Sequence, residues 1–155
     1  MNTLRELRRQ LKISQIEAAS ILNISRRTYQ KYESLNENND KINYLVYRLN
    51  EEKKITEEKG VLTIDMIKKI VADVFANYEI KSCYLFGSYA KGKETELSDV
   101  DLLIDSTITG LDYFGLIEDL REALHKKVDL LTMHSIKDSP QLMLEILKDG
   151  IKIYG

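Results

Sequence analysis

The chain has 155 residues, 43% of them hydrophobic and 31% charged, with a formal net charge of −2. This is an ordinary globular composition, long enough for one domain or two small ones. It excludes an internal disulfide and a cysteine-built zinc site, because Cys83 is the sole cysteine, and it holds no apolar run near the roughly 20 residues of a membrane span.

The N-terminus, Met1-Asn2-Thr3-Leu4-Arg5, has no apolar signal-peptide core, so a cytoplasmic protein with no membrane partner is expected. Residues 1–33 carry seven Lys/Arg against three Asp/Glu, whereas residues 59–155 carry twelve against sixteen. A basic head on an acidic body points the head toward nucleic acid. His125 and His134 lack metal-ligand spacing, and Cys83 reads as a small buried apolar residue.

The first 50 residues read as a helical domain. Thr3-Leu4-Arg5-Glu6 and Ser14-Gln15-Ile16-Glu17 fit capping boxes, and Ser25 fits a third N-cap. These signals predict helices over 3–11, 15–22 and 26–33, with Ile16, Ala19, Ile21 and Leu22 as apolar positions. Residues 36–40 read as a polar loop. A fourth helix follows near 40–54, with Ile42, Leu45, Val46 and Leu49 at helical spacing. The charged, apolar-poor stretch 51–61 reads as a linker, with helix as the alternative because Glu and Lys both favour it.

From residue 62 the pattern changes. Ile64, Ile67, Val71, Val74 and Tyr78 make a helix stripe, with Thr63 as its N-cap. Lys81–Phe86 alternates like a strand, and Asp99–Ile104 reads as a second. Leu111–His125 reads as a helix with Phe114, Ile117, Leu120 and Leu124 facing inward. Lys127–Thr132 is a third strand. Pro140 opens a last helix, where a missing amide hydrogen costs nothing. Gly150 ends it, and Ile151–Tyr154 is a short final strand.

The chemistry concentrates in Gly87-Ser88, ten residues, then Asp99-Val100-Asp101. Alternation along a strand puts Asp99 and Asp101 on one face, with Val100, Leu102 and Ile104 turned to a core. Two adjacent carboxylates repel, and Mg²⁺ bound through them and through substrate phosphates relieves that repulsion. If the third strand lies beside the second, Asp129 joins the pair as a triad suited to two-metal phosphoryl chemistry. Gly87 permits close backbone approach, Ser88 offers hydroxyl and amide to phosphate oxygens, and Lys91 or Lys93 neutralises phosphate charge. Taken singly, each feature is more simply a surface strand end, a turn or a capped loop. It is their joint spacing that carries the functional reading.

Gly87-Ser88-x10-Asp99-x-Asp101 resembles the signature of the polymerase-β-like nucleotidyltransferase superfamily. Residues 62–155 resemble its minimal (MNT) members, whose third-carboxylate strand is matched by Lys127-Val128-Asp129-Leu130-Leu131. The resemblance implies a small mixed sheet flanked by helices, ATP as nucleotide donor and two Mg²⁺ ions. By the same resemblance Gly87 and Ser88 hold phosphates, Asp99 and Asp101 bind metal, and Asp129 helps activate the acceptor hydroxyl. Lys91 as a phosphate contact and Asp129 as a third metal ligand are expected from the residues themselves, and Lys91-Gly92 stands where arginine-glycine is frequent in the family.

Residues 4–34 resemble the Xre/Cro-type helix-turn-helix family, carried by the run from Ser14 to Glu33. Such proteins present the start of the recognition helix to base edges. Gln15, Arg26, Arg27, Thr28, Gln30 and Lys31 are the resulting DNA contacts, and Tyr29 and Tyr32 are alternatively core residues. A small bundle used for protein contact is the plainer alternative.

The sequence therefore predicts an α+β chain: a helix-turn-helix domain over 1–50, a linker over 51–61 and a minimal nucleotidyltransferase domain over 62–155. MNT proteins commonly pair with HEPN-domain toxins. The resemblance implies an antitoxin that transfers AMP to a hydroxyl of the HEPN toxin, expected to be a tyrosine, and represses its own operon. A homodimer or a hetero-oligomer with the toxin is expected. A non-catalytic, nucleotide-sensing regulator that neutralises its partner by binding, and a small-molecule nucleotidyltransferase, are the alternatives.

Overall fold

The computed structural model describes residues 3–35 and 39–155, so the first three positions of the polar loop read at 36–40 lie outside the described residues. The chain divides into two compact units, Met1–Lys54 and Ile55–Gly155.

The first unit contains α1 (Thr3–Gln10), α2 (Gln15–Ile21), α3 (Arg26–Ser34) and α4 (Asp40–Lys53). Ser14 caps α2 with a complete capping box: its hydroxyl accepts from Glu17 N at 3.1 Å, and its own amide donates to Glu17 Oε2 at 2.7 Å. Ser25 and Asn39 cap α3 and α4, their side chains accepting from Thr28 N and Ile42 N. The α1 helix includes Thr3 itself, one position earlier than a Thr3 cap allows. Leu4, Ala18, Ala19, Leu22, Tyr29, Ile42, Leu45 and Leu49 form the core. Ile16, read as an apolar position of the second helix, is 59% exposed, and the adjacent turn buries Ala18 instead. Glu51–Lys53 of the stretch read as a linker complete α4, while Thr56 and Lys59 pair across a tight turn in the second unit.

The second unit runs α5 (Ile64–Phe75), β1 (Ser82–Phe86), α6 (Gly87–Lys91), β2 (Val100–Asp105), α7 (Gly110–Leu124), β3 (Val128–Thr132), α8 (Pro140–Asp149) and β4 (Ile151–Tyr154). The sheet order is β3-β2-β1-β4. Strand β1 is antiparallel to both β2 and β4, whereas β2 and β3 are parallel, with α7 as their crossover. One face packs Cys83, Leu85, Val100, Leu102, Ile104 and Leu130 against Ile67, Val71 and Phe75 of α5 and Leu116, Leu120 and Leu124 of α7. The other face packs Phe86 and Leu103 against Ile146 of α8 and Ile136. Both Leu102 and Leu103 are therefore buried, on opposite sides.

Two sequence expectations change here. Phe114 is 64% exposed, and the inward stripe of α7 is Leu116, Leu120 and Leu124. These lie at four-residue spacing, which a helix turns to one side, and Phe114 falls off that line. Tyr78 lies beyond the end of α5, where its hydroxyl donates to Asp119 at 2.6 Å.

Candidate functional site

Strand β1 passes directly into α6 at Gly87, whose φ of +70° is a conformation that side-chain-bearing residues rarely adopt. A Cβ built there would stand 2.1 Å from Asp101 Oδ2. The sequence assigns Gly87 to close approach of a ligand, and the group this structure brings against it is the Asp101 carboxylate. The Gly-Ser segment is the first turn of the short helix α6 rather than a free turn. Phe86 precedes it and supplies no side-chain cap. Ser88 is half-buried on that turn.

Strand register assembles the acids. Asp101 pairs with Phe86 on one side and with Asp129 of parallel β3 on the other. In-register neighbours project to one face, so Asp101 and Asp129 stand side by side. Asp99 lies one residue before β2, exposed to solvent, and still acts on Asp101 electrostatically. Burial pushes the Asp101 carboxyl up to about 6, and the charges of Asp129, Asp99 and Glu145 push the same way against Lys91. Lys91 Nζ donates to Glu145 Oε1 of α8 at 2.5 Å, which raises the lysine's pKa.

This is an electrostatically frustrated cluster: a half-buried acid faced by three more acids and one lysine. A divalent cation fits it, because a cation favours the ionised form that burial and neighbours disfavour. Among the described residues no three acidic, histidine or cysteine side chains form a self-sufficient metal cage. Asp99, Asp101 and Asp129 are thus not gathered into one metal-ligand group, and the acids that the strands place side by side are Asp101 and Asp129.

Glu145 was not singled out by sequence, although a signal was present. Leu142, Glu145 and Ile146 lie at three- and four-residue spacing, which turns the acid toward the sheet with its apolar neighbours. Lys126 was also missed. It is 1% exposed and donates to Glu96 O at 2.6 Å and Lys59 O at 3.4 Å. Glu96 in turn accepts from Gly60 N at 3.0 Å, so the loop before Asp99 is tied at two points. Burial lowers the Lys126 pKa.

In the helical unit the proposed DNA contacts divide into two groups. Arg26, Arg27, Gln30 and Lys31 are exposed on α3. Thr28 shares a 2.7 Å hydrogen bond with Ser25, within the helix cap. Gln15 is occupied internally: its amide nitrogen donates to buried Glu33, and its oxygen accepts from Gln30 at 3.1 Å. Glu33 also accepts from Arg8 Nε at 2.6 Å, and its backbone carbonyl accepts from Arg5 at 3.1 Å. Tyr29 is fully buried and Tyr32 half-buried, so Tyr29 is a core residue.

Comparison with known proteins gives two family matches. Residues 68–155 match the polymerase beta nucleotidyltransferase model, and residues 4–36 match a helix-turn-helix model. A candidate protein adenylyltransferase of Methanocaldococcus jannaschii is 40% identical over 90 residues, covering 56% of this chain and 86% of its own length. The protein adenylyltransferase MntA of Shewanella oneidensis is 30% identical over 79 residues, covering 50% of this chain and 55% of its own. A crystal structure of a toxin–antitoxin with AMP-PNP is 26% identical, with a TM-score of 0.45 over 61% of this chain and 74% of the other.

Proposed function

Because the chain belongs to the polymerase beta nucleotidyltransferase family and carries a helix-turn-helix head, we propose that it is an antitoxin. It transfers AMP from ATP to a tyrosine hydroxyl of a HEPN-domain toxin and represses its own operon. The observation that carries the catalytic half is the in-register pairing of Asp101 with Asp129, beside a glycine that leaves no room for a side chain.

In this reading Asp101 and Asp129 would hold Mg²⁺ together with the substrate phosphates, with Asp99 adding negative charge nearby, and the ion would supply charge neutralisation to the triphosphate and to the attacking oxygen. The opening amides of α6 and the Ser88 hydroxyl donate to phosphate oxygens, and Lys91 adds a cation only where it leaves its pair with Glu145. Asp129 accepts the proton of the acceptor hydroxyl. The acceptor oxygen bonds to the α-phosphorus, the bond from that phosphorus to the bridging oxygen breaks, and pyrophosphate leaves with the electron pair. The relatives named as protein adenylyltransferases support a protein acceptor.

The test is transfer of labelled AMP from ATP to the neighbouring HEPN protein with Mg²⁺ present. Transfer abolished by Asp101→Asn supports the reading. Full neutralisation of the toxin by wild type with no label transferred would overturn it in favour of sequestration.

For the head, exposed Arg26, Arg27, Gln30 and Lys31 on a capped α3 support operator binding. A duplex from the upstream region is expected to bind in a salt-dependent manner. Arg26→Ala with Arg27→Ala should reduce the slope of log affinity against log salt by about 2. An unchanged slope would remove these arginines from the interface.

A further inference from the structure

We infer that Glu145 is a positioning residue that holds Lys91 away from the triphosphate, so that the site discriminates against nucleotide that carries no metal. This rests on the nucleotide-binding reading above.

The geometry is a single ion pair joining two elements. Lys91 closes α6, the helix that begins with Gly87 and Ser88. Glu145 comes from α8, on the face of the sheet that carries Asp101. Their 2.5 Å contact leaves both side chains about one-third exposed. Lys91 is the cation that acts on Asp101, and Glu145 adds to the acids that oppose it. A triphosphate entering without metal would meet four carboxylates, and the lysine able to compensate is already neutralised. To recruit Lys91 it must break the pair with Glu145. A triphosphate arriving with Mg²⁺ meets the same acids as ligands or favourable charges and depends less on Lys91. Glu145 therefore penalises one form of the nucleotide more than the other, which is how specificity arises from an unfavourable contact.

Calorimetric titration of the full chain with ATP in EDTA, and with ATP in excess Mg²⁺, separates the two forms without any turnover. Glu145→Gln removes the charge and keeps the shape. A partly exposed ion pair sets the scale: Glu145→Gln should tighten metal-free ATP about three- to fivefold and leave the Mg²⁺ complex within about twofold. In a Lys91→Met background the same change should move metal-free binding by less than about twofold. Equal tightening with and without Lys91 would mean a general charge effect, and weaker binding by Glu145→Gln would mean that Glu145 presents Lys91 to phosphate. Either result, or no change at all, overturns the inference while the nucleotide site stands. Absence of ATP binding by wild type in Mg²⁺ would overturn the nucleotide reading and the inference with it.

Discussion

Glu33 of the first unit and Asp101 of the second are both drawn out of solvent, and the two carboxylates are treated in opposite ways. Glu33, 3% exposed, is met by the Arg8 guanidinium and the Gln15 amide. Asp101, half-buried, is met by Asp129, Asp99 and Glu145, with Lys91 as the counterweight. A buried charge whose lone pairs are filled holds a fold together. A buried charge surrounded by its own kind costs stability, and such groups concentrate at functional sites. The helical unit thus uses its acid as a clamp between α1, α2 and α3, and the nucleotidyltransferase unit leaves its acid among other acids, a repulsion that the proposed cation would relieve.

The largest expected effect breaks the contrast on the catalytic side. Asp101→Asn should lower AMP transfer by about three orders of magnitude, the scale of losing several kcal/mol of charge stabilisation. A rate within tenfold of wild type would show that Asp101 is not part of the machinery. On the other side, Glu33→Ala should destabilise the helical unit by about 3 kcal/mol, because it strands Arg8. Thermal unfolding followed by circular dichroism reads this directly, and a loss below about 1 kcal/mol would demote the clamp.

Gly87→Ala should cost about 2 kcal/mol, combining an unfavourable left-handed backbone with a displaced Asp101, as measured by denaturant unfolding. The smallest effect is the most diagnostic. Asp101 titrates near 6 in the folded unit and near 4 when unfolded, so the folded state binds the extra proton between those values. Without metal, stability should therefore fall as pH rises from about 4 to about 6, and stay reduced above. Asp101→Asn should abolish that fall and stabilise the metal-free protein above pH 6, by about 1 kcal/mol once solvent screening is allowed for. The same substitution that removes activity should raise the melting temperature.

Much of this was legible in the sequence, for identifiable reasons. Ser14, Ser25 and Thr63 announced their helices because a capping hydroxyl acts within three residues. The Asp101–Asp129 pairing was conditional on strand order, which alternation within one strand cannot supply, and the parallel β2–β3 register meets that condition. Phe114 misled because an apolar residue near a stripe is not necessarily on it. Glu145 and Lys126 were illegible as site residues because their partners, Lys91 and the Glu96 and Lys59 carbonyls, lie 30 to 67 residues away in sequence. Gln15 looked like a base reader, and its engagement by Glu33 depends on a tertiary contact across 18 residues.

The contact between Gly87 and Asp101 imposes an order on sequence change. A side chain at position 87 would stand 2.1 Å from the carboxylate, so position 87 can grow only by displacing the acid at 101. If position 101 shrinks first, to alanine, the collision with the carboxylate disappears, leaving the close 3.2 Å approach to the residue-101 Cβ and the backbone cost at φ +70°, about 1 kcal/mol. Gly87→Ala should therefore be better tolerated after Asp101→Ala than before it. The two positions form a ratchet: the acid can be lost at any time, but once a larger residue has settled at 87, restoring aspartate at 101 no longer restores the site.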